Sequence, residues 1–89
     1  MIIEIEYSRK AIDDLKRFDV KITQRIIKKV KWFCSQSDPL RYASALSGVL
    51  SIYSRFRVGD YRVVFKLEDD GQIKIVMVVR VQHRREAYL

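Results

Sequence analysis

The opening positions of the chain alternate: Ile3, Ile5 and Tyr7 are separated by Glu4 and Glu6. A period of two predicts a strand over residues 2–7 with one buried face. The period then lengthens. Ala11, Ile12, Leu15 and Phe18 recur at spacings of three and four beneath charged neighbours, and Ser8 is placed to cap the first turn, so a helix is expected over residues 8–18. Asp19 provides a second cap. After it, Ile22, Ile26, Ile27, Val30 and Phe33 make the apolar stripe of a second helix reaching Ser35, and Asp38-Pro39 closes it because proline lacks a backbone donor. Residues 40–50, with Ala43, Ala45, Leu46 and Gly48, read as a connector with room for one helical turn.

From Ile52 the period returns to two. Tyr53, Arg55 and Arg57 fall on one side and Ile52, Phe56 and Val58 on the other, which predicts a strand. Gly59-Asp60 make a tight turn, Tyr61 to Leu67 a further strand, Asp69-Asp70-Gly71 the next turn, and Ile73 to Val81 a last strand. Two successive hairpins form an antiparallel meander. The expected architecture is α+β in two layers: an N-terminal strand, then a two-helix hairpin packed on an antiparallel sheet of three to four strands.

At 89 residues this is one domain, 1–89, too short for two separate cores. The longest apolar run, Ile75 to Val79, cannot span a bilayer, and the N-terminus lacks the pattern of a signal peptide, so a soluble cytoplasmic protein without a membrane partner is expected. The single cysteine, Cys34, excludes an internal disulfide and a Cys-rich zinc site. On helix two it reads as a half-buried packing residue with nothing to activate it as a nucleophile.

Eighteen Lys and Arg against eleven Asp and Glu leave a formal charge of +7, a field suited to nucleic acid or an acidic protein. Its distribution by residue type is informative. After residue 50 six of the eight cations are arginines (Arg55, Arg57, Arg62, Arg80, Arg84, Arg85). Guanidinium groups bind phosphate oxygens in bidentate fashion and stack on bases, so arginines on adjacent strands make a phosphate-binding surface. Tyr53, Tyr61 and Tyr88 are interleaved with them, as unstacked RNA bases require. Taken one at a time, each such Arg is better explained by solvation of an exposed strand and each Tyr by packing with only its hydroxyl wet; the whole arrangement is less readily explained that way.

The remaining inventory limits catalysis. With one His and no His pair, there is neither a metal-ligand motif nor a two-histidine route to RNA cleavage, and no glycine-rich phosphate loop is present. No metal and no cofactor is expected. Glu68, Asp69 and Asp70 read as turn residues. His83 is equally a proton carrier, a phosphate donor or a structural hydrogen-bonding group.

The runs Arg55-Phe56-Arg57-Val58-Gly59-Asp60-Tyr61-Arg62 and His83-Arg84-Arg85-Glu86-Ala87-Tyr88, with the length, opening strand, helical hairpin and basic sheet, resemble the RelE toxins of the RelE/ParE superfamily. The likeness runs from end to end. It implies a toxin of a type II toxin-antitoxin system: a ribosome-dependent endoribonuclease that cleaves mRNA in the ribosomal A site and inhibits translation. It also implies a RelB-like antitoxin as partner, beside the ribosome and mRNA. By position in the family motifs, Arg62, Arg84 and Tyr88 are the implied catalytic residues, and Tyr53, Arg55, Arg57, His83 and Arg85 the implied RNA-binding set. Tyr53 stands where some members carry a lysine, which leaves the general base unassigned. The sequence ends one residue after Tyr88, so a longer C-terminal helix is not expected.

In the implied reaction the ribose 2′-OH attacks the adjacent phosphate, giving a cyclic phosphate and a free 5′-OH, without metal. Arginine remains protonated and a tyrosine near its usual pKa of about 10 is a weak base, so naked RNA should be cut negligibly. Ribosomal alignment supplies the difference, worth roughly 7 to 11 kcal/mol. The alternative within the superfamily is a ParE-like DNA gyrase inhibitor without nuclease activity, and beyond it a non-catalytic RNA-binding module.

Overall fold

The chain alternates between sheet and helix as the periodicities require, in a computed structural model that describes residues 2–86. Strand β1 (Ile2–Tyr7) leads into helix α1 (Arg9–Arg17) and helix α2 (Val20–Cys34). Ser8 caps α1, its Oγ accepting from the Ala11 N–H at 3.1 Å, and the Asp19 carboxylate caps α2 by accepting from the Lys21 N–H at 2.9 Å. At the far end of α2, Ser35 Oγ and Gln36 Nε2 both donate to the Trp32 carbonyl. That capping ends the helix at Cys34, before Pro39, which instead begins a 3₁₀ turn over Pro39–Tyr42.

The sheet corrects the expectation in two respects. It has five strands and it is mixed. The added strand is β2 (Ala43–Ala45), inside the supposed connector, and it pairs antiparallel with β3 (Ser54–Val58) through Ala43 opposite Phe56. Three small residues carry no alternation of large apolar groups, so nothing in their pattern marks a strand. Strands β4 (Tyr61–Asp69) and β5 (Ile73–His83) complete the meander and extend beyond the predicted ends. β1 lies parallel to β5, giving the order β1-β5-β4-β3-β2. Parallel pairing needs a long connection, and here the chain runs from β1 through α1 and α2 to β2 at the far edge and returns through the meander to β5. Ile52, expected to open β3, is 69% exposed and sits in the turn before it.

One face of the sheet meets the helices. Ala11, Leu15, Ile26, Val30 and Phe33 pack on Phe56, Val58, Val63, Phe65, Val76, Val78 and Val81. Phe33, Phe56 and Phe65 stack in succession, with ring centroids 4.6 and 4.5 Å apart. Residues opposite one another across neighbouring strands share a face. Hence Arg57, Arg62 and Gln82 line the face away from the helices, as do Arg55 and Val64.

A bulge interrupts this order. Val64 pairs with Arg80 and Phe65 with Val78, so Val79 is an extra residue in β5. A bulge re-aims the side chains beside it. Here it sends Arg80 to Asp14 on α1, where Nε and Nη2 donate to the carboxylate at 2.8 and 3.1 Å. Arg80, counted among the arginines of the basic face, is therefore part of the scaffold.

Candidate functional site

The β3–β4 hairpin ends in Gly59-Asp60, with Gly59 at φ +58°, the left-handed conformation that glycine adopts without a Cβ penalty. On one side of this turn Arg57 and Arg62 face each other across the strands. Like charges directly opposite destabilise a sheet, so this pairing is a cost that a bound anion would relieve. Arg62 in turn lies opposite Gln82 of β5. Just beyond β5 the chain folds back onto the turn, where the Arg84 N–H donates to the Asp60 carbonyl at 2.7 Å. Arg62 Nη1 donates to the Arg84 carbonyl at 3.1 Å, and Arg84 Nε lies 3.7 Å from the Asp60 carboxylate.

These contacts enclose a recess of about 130 Å³ lined by Arg57, Gly59, Asp60, Tyr61, Arg62 and Arg84. Three guanidinium groups against one carboxylate leave its wall net positive. At about 30 Å³ per water the space holds roughly four waters, or one phosphate group with its oxygens against the walls. The Arg84–Asp60 pair is more than half exposed on both sides and adds little stability, so the Arg84 head group is available to a ligand.

The segment carrying Arg84 is held from behind. Glu86 Oε1 accepts from the His83 N–H at 3.1 Å, and its other oxygen lies 3.7 Å from Arg17 on α1. Arg17 also donates to Asp14 at 3.0 Å. Asp14 is only 3% exposed and accepts in addition from the Val81 N–H at 2.9 Å. Burial alone would raise its carboxyl pKa, but the hydrogen bonds from Arg80 and Val81 and the charges of Arg80 and Arg17 outweigh burial and hold it below the usual value. Arg80 is raised in return, chiefly by its hydrogen bond to Asp14.

Of the residues singled out in the sequence, Arg57, Arg62 and Arg84 come together. Arg55 lies on the same face two residues back along β3, about 7 Å from Arg57. Tyr53 precedes β3 at the opposite end of the strand, its carbonyl accepting from the Leu46 N–H, and it does not line the recess. His83 pairs with Tyr61 on the helix-facing side, ring edge against ring face at 5.1 Å, and Tyr61 packs on Phe18. His83 Nδ1 accepts from the Arg85 N–H at 3.2 Å, which serves the geometry of the turn. The Arg85 side chain is exposed. Tyr88 lies outside the described residues.

Sequence reasoning passed over Asp14, Arg17, Asp60 and Glu86, all of which shape the site. Asp14 did leave a signal: it falls on the apolar stripe between Ala11 and Leu15, where a carboxylate requires a cation. Among the described residues no group of three His, Cys, Asp or Glu is disposed to hold a metal ion. No helix is long and apolar enough to cross a membrane. Chemically, the recess offers several permanently cationic donors and, among the described residues, one carboxylate, Asp60, which lies against Arg84.

A family model, the ParE toxin of the type II toxin-antitoxin system parDE, matches residues 5–88. Comparison with curated protein sequences gives no match. Among solved structures, the fold is similar to that of a chain in a RelBE toxin-antitoxin complex from Mycobacterium tuberculosis, with TM-score 0.72 and 22% identity over 93% of this chain and 92% of that one. It is also similar to a chain in the RelB-RelE antitoxin-toxin complex from Methanococcus jannaschii, with TM-score 0.65 and 26% identity over 90% and 91%. A third likeness is to the chromosomal ParDE system of P. aeruginosa, with TM-score 0.69 and 14% identity over 92% and 96%. The match over nearly the whole length and the shared α+β fold place this chain in the ParE toxin family of type II toxin-antitoxin systems, within the RelE/ParE superfamily.

Proposed function

We propose that this toxin is a ribosome-dependent endoribonuclease that cuts mRNA in the ribosomal A site and so arrests translation in the cytoplasm. The observation that carries the reading is the convergence of Arg57, Arg62 and Arg84 on one phosphate-sized recess. In the proposed step the 2′-oxygen attacks the neighbouring phosphorus, the bond from phosphorus to the 5′-oxygen breaks, and a 2′,3′-cyclic phosphate and a 5′-hydroxyl result. The 2′-OH loses a proton and the leaving oxygen gains one. Negative charge grows on the non-bridging oxygens, and each well-placed donor against it lowers the barrier by about 3 to 4 kcal/mol. Tyr88, with Arg62 and Arg84, keeps its proposed catalytic role, and Tyr53, Arg55, His83 and Arg85 their proposed contacts to RNA.

A RelB-like antitoxin is the proposed partner, in keeping with the RelB-RelE and ParDE assemblies that share the fold. An acidic, amphipathic segment would cover the arginines and lay its apolar side in the groove of about 520 Å³ that Tyr7, Ile12, Leu15, Phe18, Val20 and Ile27 line between α1 and α2. Its affinity should fall as salt rises.

The match to the ParE family model supports a second reading, inhibition of DNA gyrase by binding. Two assays run on one preparation separate them. The first reading predicts new messenger ends on programmed ribosomes, intact naked RNA and unimpaired gyrase supercoiling. Intact messenger with blocked supercoiling would reverse the assignment.

A further inference from the structure

Gly59 is a seat as well as a turn residue. A Cβ built there would lie 2.6 Å from Nη2 of Arg25 and 3.6 Å from its Cζ, so the Arg25 guanidinium rests against the Gly59 backbone. Arg25 comes from α2, in the other layer of the fold, and is exposed. Gly59 itself lines the arginine recess. Arg25 thus flanks, from outside, the turn that Arg57, Arg62 and Arg84 flank from within.

The charge there is unbalanced. No carboxylate lies within ion-pairing distance of Arg25 among the described residues, and the one acid in the turn, Asp60, is turned to Arg84. A long cationic side chain loses rotamer freedom when it settles on a bare backbone, and no ion pair offsets that loss. The Arg25 head group therefore offers unused donors beside a recess that accommodates one phosphate.

We propose that Arg25 binds the phosphodiester next to the one held in the recess, so that a single strand of RNA is gripped at two successive phosphates across the β3–β4 turn. Gly59 is glycine partly to leave room for that grip. The proposal rests on the endoribonuclease reading and makes Arg25 a positioning residue: it fixes the strand's register and leaves the transition-state charge to the recess. Its loss weakens binding and raises KM while kcat is retained.

The test uses the whole protein and four variants: Arg25→Gln, Arg25→Lys, Gly59→Ala, and Lys10→Gln as an equal charge loss at an exposed site on α1. Binding of a fluorescent, 2′-O-methylated single-stranded RNA of about 12 nucleotides is titrated from low to moderate salt. Cleavage of messenger on programmed ribosomes is followed alongside. Arg25→Gln should weaken RNA binding about tenfold and flatten the slope of log affinity against log salt by about 0.7, the share of one single-strand phosphate. It should raise KM with kcat within about twofold, and Arg25→Lys should recover the salt slope. Gly59→Ala displaces the Arg25 head group from its seat, so in the binding titration it should flatten the salt slope as Arg25→Gln does, and the double variant should flatten it no further. If the wild type cleaves but Arg25→Gln behaves as Lys10→Gln does, the Arg25 proposal is wrong and the nuclease reading stands. If the wild type neither binds the RNA nor cuts the messenger, both fall.

Discussion

Asp14→Asn isolates the contact that ties the helical layer to the arm carrying Arg84. The substitution preserves volume and one oxygen but replaces the other oxygen with an NH₂. In the native site both carboxylate oxygens face donors: Arg80 Nε at 2.8 Å, Val81 N at 2.9 Å, Arg17 Nη2 at 3.0 Å and Arg80 Nη2 at 3.1 Å. In the variant an amide donor must face at least one of these, and the Arg80 side chain, 19% exposed, keeps its charge without a counter-charge. Breaking a buried ion pair by removing one partner costs about 3 to 5 kcal/mol, and the partial exposure of Arg80 and Arg17 puts the expected loss near 3 kcal/mol. For a domain of this size each kcal/mol moves Tm by roughly 4 to 8 °C, so the expected fall is about 12 to 24 °C. Urea unfolding should show a lower midpoint at constant m-value, as a loss of stability alone requires. Asp14→Leu combined with Arg80→Met should recover part of the loss, because an apolar pair leaves no buried charge stranded while the Val81 N–H still loses its acceptor. A loss below about 1 kcal/mol for Asp14→Asn would refute the reasoning, and so would a double variant less stable than the single one.

The same carboxyl sets an acid limit. Its folded pKa lies below the ordinary 3.8, so the stability it confers is complete above that value and drains away as pH falls below about 4; in a pH series of unfolding free energies the gap between wild type and Asp14→Asn should close over that range. Tyr7 sets an alkaline counterpart: burial, with a smaller contribution from Cys34, pushes its hydroxyl from 10.0 to about 12. Stability should therefore decline as pH rises from 10 towards 12, and Tyr7→Phe should abolish that decline. Because the Tyr7 hydroxyl is buried without a hydrogen-bond partner among the described residues, Tyr7→Phe should be neutral or stabilising by up to about 1 kcal/mol in denaturant unfolding at neutral pH. Glu86→Ala removes the acceptor of the His83 N–H and the partner of Arg17; it should cost about 1 kcal/mol of stability and lower the cleavage rate more than it weakens ribosome binding, measured by sedimentation beside single-turnover kinetics.

The legible parts of this fold are those governed by local periodicity. The alternation from Ile3 to Tyr7, the Ser8 and Asp19 caps, the two apolar stripes and the Gly59-Asp60 and Asp70-Gly71 turns all lie within a few residues of what they specify. What was hidden is non-local. Ala43-Ser44-Ala45 becomes a strand only because β3 offers it an edge, and β1 lies parallel to β5 only because the helices carry the chain to the far edge of the sheet and the meander from β2 brings it back. The bulge at Val79 cannot be read from an unbroken apolar run, yet it decides that Arg80 serves Asp14 while Arg62 faces the recess. The site was legible as residue type and illegible as geometry. Arg55, Arg57 and Arg62 share a face by parity alone, but Arg84 joins them through a backbone bond to Asp60 that no spacing rule anticipates. His83 and Tyr53 illustrate the converse, since being near the arginines in the chain did not bring them to the recess.

The central claim is that the guanidinium groups of the recess act on the charge of the reacting phosphate. The most direct measurement is the single-turnover rate of messenger cleavage on programmed ribosomes for wild type and Arg84→Ala, with ribosome affinity measured on the same preparations. Loss of one such donor should slow cleavage about 10² to 10³-fold while affinity changes only a few-fold. Equal losses of rate and affinity would show that Arg84 merely holds the complex together and would contradict the account.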